Sequence, residues 1–192
     1  MMIRKIIEAF EPMCPQEEAD RALALKMIEE YPDNVLLRDN LLAHFTSSGF
    51  VVNETLDKVL MVHHLIYRTW AWTGGHADGE SDLLAVAIRE AEEETGIGNL
   101  KPLTGYMDSF DVLPVYGHEK KGAYVGTHLH LSAAYILVAS EEDEVRIKED
   151  ENDGVRWIPR DEMDKYSNEP YLIRIYEKLW QRVDVYENRT KR

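Results

Sequence analysis

The sequence of 192 residues predicts an α+β fold: a helical N-terminal stretch, then strands crossed by one acidic helix and closed by a last helix. Three observations carry that reading. Apolar residues recur at helical spacing over residues 16–31, and the texture changes to strand-like runs from residue 43. A glycine-rich turn from Gly74 then leads into a helical run ending in Arg89-Glu90-Ala91-Glu92-Glu93-Glu94-Thr95-Gly96.

Residues 1–40 read as a helical extension and 41–192 as the main domain. In the extension, Ala19, Leu23, Met27 and Ile28 mark one helix face, and Pro32-Asp33-Asn34 ends it. The extension is expected to pack on the domain, with a homodimer contact or a lid over a site as its other uses. Residues 43–53 and 58–65 form a hairpin around a polar turn at 54–57. His63 and His64 are adjacent, so they point to opposite faces of their strand and are read as structural. Trp70 and Trp72 precede the glycines and are read first as core aromatics. Trp72 is also the candidate to stack on a base.

In the acidic helix, at about 100° per residue, Glu90, Glu93 and Glu94 fall on one face. Leu84, Ala87, Ile88 and Ala91 cluster opposite, and Glu92 points to solvent. Like charges three and four residues apart destabilise a helix by a few tenths of a kcal/mol per pair. Three carboxylates held this way call for a neutralising partner, and a hard divalent cation with oxygen ligands fits. Ser81 and Asp82 are both suitable helix N-caps.

Further on, residues 103–116 read as one or two strands with Asp108 and Asp111 between apolar positions, and 117–126 as a polar loop. Residues 127–140 form a strong strand on which His128, His130 and Ser132 share a face. Histidines so spaced can bind zinc, but the remaining ligands would have to come from elsewhere. His128 and His130 are therefore assigned to substrate contact. An acidic loop at 141–153 precedes a short strand at 154–159 and a short helix at 161–165. Pro170 opens a last helix with Leu172, Ile175, Tyr176, Leu179 and Val183 along one side.

Acidic residues outnumber basic ones 36 to 22, a formal charge of −14. That balance argues against a nucleic-acid polymer as partner, while a small phosphorylated ligand bridged by metal remains compatible. Cys14 is the single cysteine, so neither a disulfide framework nor an all-cysteine metal site is expected. No signal-peptide core or membrane-length apolar run is read from the sequence, and a cytoplasmic protein with no membrane partner is expected.

Residues 75–97 closely resemble the signature box of the Nudix hydrolases. Gly75, Arg89, Glu90, Ala91, Glu93, Glu94, Gly96 and Ile97 carry the match, while Ser81 stands where the box has a glutamate, flanked by Glu80 and Asp82. The resemblance extends less specifically over residues 42–166. It implies a mixed β-sheet sandwiched between helices and hydrolysis of a diphosphate linkage in a small nucleoside diphosphate derivative. A diphosphate and its attacking water concentrate negative charge, which carboxylates alone cannot stabilise. Mg²⁺ or Mn²⁺ held by Glu90, Glu93 and Glu94 inverts the local sign. The resemblance also implies the Gly74 carbonyl as a further ligand, and a catalytic set of Glu93, Glu94 and Arg89 in which Arg89 orients the glutamates. A general base or extra ligand is expected from a distant loop, where Glu149, Asp150, Glu151 and Asp153 are the candidates. His128, His130 and Trp72 complete the expected substrate contacts.

Two other readings stand beside this one. A non-catalytic nucleotide sensor is kept open by Ser81. An isoprenoid diphosphate isomerase of the same fold is disfavoured, because Cys14 lies in the extension rather than beside the box.

Overall fold

The computed structural model describes residues 2–66, 68–120 and 122–190. Two helices open it, α1 (Met2–Ala9) and α2 (Pro15–Glu30). Pro15 starts α2 where a missing N–H costs nothing, and the helix stops at Tyr31 because a residue before proline avoids helical angles. The buried stripe of α2 is Glu17, Ala24, Met27 and Ile28. Ala19, expected inside, is exposed. The helix is rotated from the expected setting because Glu17 is drawn into a polar network.

Strands β1 (Ala43–Asn53), β2 (Lys58–His64), β3 (Trp70–Ala71), β4 (Thr73–His76), β5 (Lys101–Pro102), β6 (Ser109–Val115), β9 (His128–Ala139) and β10 (Asn152–Pro159) build one eight-stranded sheet. Its central order is β10-β2-β1-β9-β5, with β3 on β2, β4 on β1 and β6 on β9. The β1–β9 pair is parallel, with Ala43 opposite Leu129 and Asn53 opposite Ala139, and the other pairs are antiparallel. Between β6 and β9 the expected polar loop is a separate small hairpin of β7 (His118–Lys120) and β8 (Ala123–Val125). The remaining helices are α3 (Leu83–Thr95), α4 (Met163–Tyr166) and α5 (Pro170–Thr190).

Alternation along β1 and β9 sends residues to two cores. Phe45, Val51, Leu131 and Leu137 pack with Leu83, Ala87 and Ala91 of α3 and with Ile3, Ile7, Met27 and Ile28 of α1 and α2. Phe50, Val52, Ala134 and Ile136 face Tyr176, Leu179, Trp180 and Val183 of α5. The sheet is thus sandwiched between helices. A buried polar knot ties α2, β6 and α5 together: Lys178 Nζ lies 2.5 Å from Asp111 Oδ1 and 3.1 Å from Glu17 Oε1. Ser109 Oγ donates to Glu17 at 3.0 Å, and it lies 2.6 Å from Asp111 Oδ2. Among the described residues no helix is long and apolar enough to cross a membrane.

Candidate active site

Helix α3 begins at Asp82, whose Oδ1 accepts from the Ala85 amide at 3.1 Å. Ser81 is therefore not the cap. Glu80 accepts from the Asp82 amide at 2.8 Å, so both acidic neighbours of Ser81 are engaged at the helix start. The helix ends at Gly96, whose φ of 70° is the left-handed value that glycine adopts without strain.

The three box glutamates differ in depth. Glu94 is 6% exposed and belongs to the buried stripe with Ala87 and Ala91, rather than to a solvent face opposite them. Glu90 is half-buried and the Glu93 side chain is 49% exposed. Leu84 and Ile88, expected on the core face, are only partly buried. The rotation follows from β4. A Cβ on Gly75 would collide with the Glu90 carboxylate, and one on Gly74 would collide with Ser48 Oγ. Gly74 thus lets β4 lie close against β1, while Gly75 lets α3 close on β4 and carry Glu90 inside. Across that contact the Gly74 amide donates to Glu94 Oε1 at 3.0 Å. Arg89 Nη2 donates to Glu90 Oε1 at 3.0 Å, and its Nε is 3.9 Å from Glu93.

Burial pushes Glu94 up to about 8, opposed by the Gly74 amide and reinforced by the charges of Glu151 and Glu90. Glu90 is also raised, first by burial, with Arg89 opposing. Neighbouring carboxylates raised in this way by burial are a functional-site signal. Glu90, Glu93 and Glu94 supply the oxygen donors that could hold a divalent cation.

The acidic loop is fastened to the end of α3. The Arg146 amide donates to Thr95 O at 2.6 Å, and Asn152 Nδ2 donates to Glu94 O at 2.9 Å. Lys148 Nζ lies 3.6 Å from Glu93 and 3.1 Å from Glu151, bringing Glu151 to the cluster. Glu149 and Asp150 are exposed, and Asp153 is engaged by His63 at 2.5 Å and Arg68 at 3.7 Å.

Trp72 is half-buried, with its ring edge-on to Tyr176 at 5.4 Å and its amide donating to Tyr176 Oη at 3.2 Å. His128 and His130 share a face as read. Two histidines missed in the sequence join them, since β1 places His44 opposite His130 and Thr46 opposite His76. Ring centroids of His44, His76 and His130 lie 4.9–5.1 Å apart, and His128 stacks on His44 at 4.9 Å. Arg38, also missed, grips Asp78 with two bonds of 2.7 and 2.6 Å. Its charge acts on Glu90 and on His130 alike, so the extension reaches the edge of the site. A depression of roughly 370 Å³ lined by Arg160, Met163 and Trp180 includes none of these residues.

The NUDIX domain family matches residues 43–179, and the chain belongs to that family. It is accordingly a pyrophosphohydrolase of the Nudix class, enzymes that act on nucleotide derivatives and generally use divalent metal ions. A Caenorhabditis elegans Ap4A hydrolase has a similar fold, at 17% identity and TM-score 0.55, over 73% of this chain and 97% of that one. A Clostridium perfringens NUDIX family hydrolase aligns at 20% identity and TM-score 0.51 over the same shares. The NUDIX domain of Shewanella oneidensis NrtR, solved with ADP-ribose, aligns at 18% identity and TM-score 0.52, over 81% and 97%. A search of curated proteins finds no match.

Proposed function

We propose that the chain hydrolyses the diphosphate linkage of a small nucleoside diphosphate derivative, with Mg²⁺ or Mn²⁺ as its metal and the cytoplasm as its compartment. The observation that carries this reading is the convergence of Glu90 and Glu94 on the side-chain-free Gly74–Gly75 pair. A buried carboxylate raised to about 8 becomes a stable anion near neutral pH only beside a cation, and oxygen donors suit a hard one. In this reading Glu90, Glu93 and Glu94 hold the ion, with the Gly74 carbonyl as a further ligand.

When bound, the ion supplies positive charge to the phosphate oxygens and makes water more acidic. The protein's own groups do the rest. Arg89 holds Glu90 in place and reaches toward Glu93. The Gly74 amide fixes one Glu94 oxygen. Glu151, tethered through Lys148, is assigned to accept the proton of the attacking water. Trp72 is assigned to the substrate.

The test is turnover with Mg²⁺ over a panel of nucleoside diphosphates joined to different groups, dinucleoside polyphosphates and ADP-ribose included. Hydrolysis of at least one is expected. Tight binding without hydrolysis of any would favour the sensor reading that Ser81 keeps open.

A further inference from the structure

We propose a second metal site, for a zinc-type dication, built from the imidazoles of His44, His76 and His130. It is separate from the carboxylate site in both ligand chemistry and position on the sheet. Gly75 faces Glu90 of α3, whereas His76 is the next residue along β4 and points to the opposite face. His44 and His130 come from the parallel partners β1 and β9. One ring nitrogen from each of the three histidines lies within 4.8 Å of the others. Tetrahedral ligands at zinc–nitrogen distances stand about 3.4 Å apart, so an inward shift of at most about 1.4 Å per pair closes the site.

The hydrogen bonds already select the ligating atoms. His44 Nδ1 lies 3.0 Å from Asn40 O. A carbonyl only accepts, so Nδ1 carries the proton and Nε2 carries the lone pair. His44 is 3% exposed, yet its Nε2 has no hydrogen-bond partner, and neither does the buried Nε2 of His130. Orphaned buried nitrogens are costly, and two aimed into one cluster of rings call for a shared partner. An imidazole donating its other N–H to a backbone carbonyl is the usual outer support of a metal ligand. Asn40 is itself braced, with its side-chain oxygen accepting from the Leu42 and Ala43 amides at 3.1 and 3.3 Å.

Ligand type sets the ion. Three neutral imidazoles suit zinc and its transition-metal neighbours, and disfavour Mg²⁺. Burial, then the neighbouring histidines and Arg38, keep His130 in the neutral form that a metal needs. His128 stacks on His44 but falls outside the group whose ring nitrogens lie within 4.8 Å of one another, so it walls the site rather than completing it. Three protein ligands leave a fourth position open, which is the arrangement of a zinc that binds water or a substrate oxygen. His76 and His130 are only half-buried, which leaves the ion a way in.

The experiment is metal analysis of full-length protein stripped with chelator, reloaded with Zn²⁺ in excess Mg²⁺ and titrated against a chromophoric chelator. One tightly held zinc per chain is expected. His76→Gln and His130→Asn should each weaken it by about 100-fold or more, at or beyond the upper end of what an outer partner contributes. The double variant Glu90→Gln, Glu94→Gln should leave it in place. Co²⁺ loading should give the intense visible bands of a four-coordinate nitrogen site, with circular dichroism confirming that each variant is folded. Absence of stoichiometric zinc would overturn the proposal, as would zinc lost in the glutamate variant and kept in the folded histidine variants. The diphosphatase reading is tested by Mg²⁺-supported turnover, so the two can fail independently.

Discussion

The Gly74 amide donates to the Glu94 carboxylate at 3.0 Å, joining strand β4 to the last box glutamate of α3. The close approach behind this bond needs Gly75, where a Cβ would meet the Glu90 carboxylate of the helix, and Gly74, where a Cβ would meet Ser47 and Ser48 of β1. Glycine here serves close approach.

Gly75→Ala therefore tests the geometry. The added methyl group would displace the Glu90 carboxylate, so turnover should fall by at least about tenfold, about 1.4 kcal/mol in the barrier. Gly98→Ala, where a Cβ meets nothing within 4 Å, should leave the rate unchanged. Steady-state kinetics on both variants, at matched Mg²⁺, reads the difference.

The knot around Lys178 should matter for stability. Lys178→Met strands the buried carboxylates of Glu17 and Asp111 without their cation. Breaking a buried pair in this way costs about 3–5 kcal/mol. Denaturant unfolding of the metal-free protein should show a loss of that order, and Lys178→Arg should recover part of it.

Glu94 predicts an unusual pH trend in chelator. Its folded value, about 8, lies above the ordinary 4.5. A raised carboxyl contributes stability that is present below about 4.5 and lost as pH climbs toward about 8. Metal-free protein should therefore lose stability across that window, and Glu94→Gln should flatten the trend. Thermal melts from pH 5 to about 8 read the slope.

Much of this was legible in the sequence, and the exceptions share a cause. The glycine pair, the acidic helix and the apolar face of α5 are local patterns, so spacing alone found them. Helix α3 was located but set at the wrong rotation, because the depth of Glu94 depends on how closely β4 approaches. Ala19 was misplaced for a similar reason, since Glu17 answers to Lys178 on a helix far along the chain. His44 and His76 were missed because the pairings of β1 with β9 and with β4, which no local period announces, bring them to His130. The signal available was a histidine directly after the two glycines.

Ser81 stands where the family pattern has glutamate. Because Asp82 caps α3, changing Ser81 leaves the helix start intact. Ser81→Glu should change the rate by less than about tenfold, under about 1.4 kcal/mol. Activity seen only in that variant would mean that the wild-type box has lost its chemistry.

The most direct measurement is Mg²⁺-dependent turnover of the best panel substrate by wild type, Glu93→Gln and Glu94→Gln, each checked for folding. An amide in place of a carboxylate removes charge from the metal site and keeps its shape. The account predicts that turnover nearly vanishes in both variants. Wild-type rates in both at saturating Mg²⁺ would contradict it.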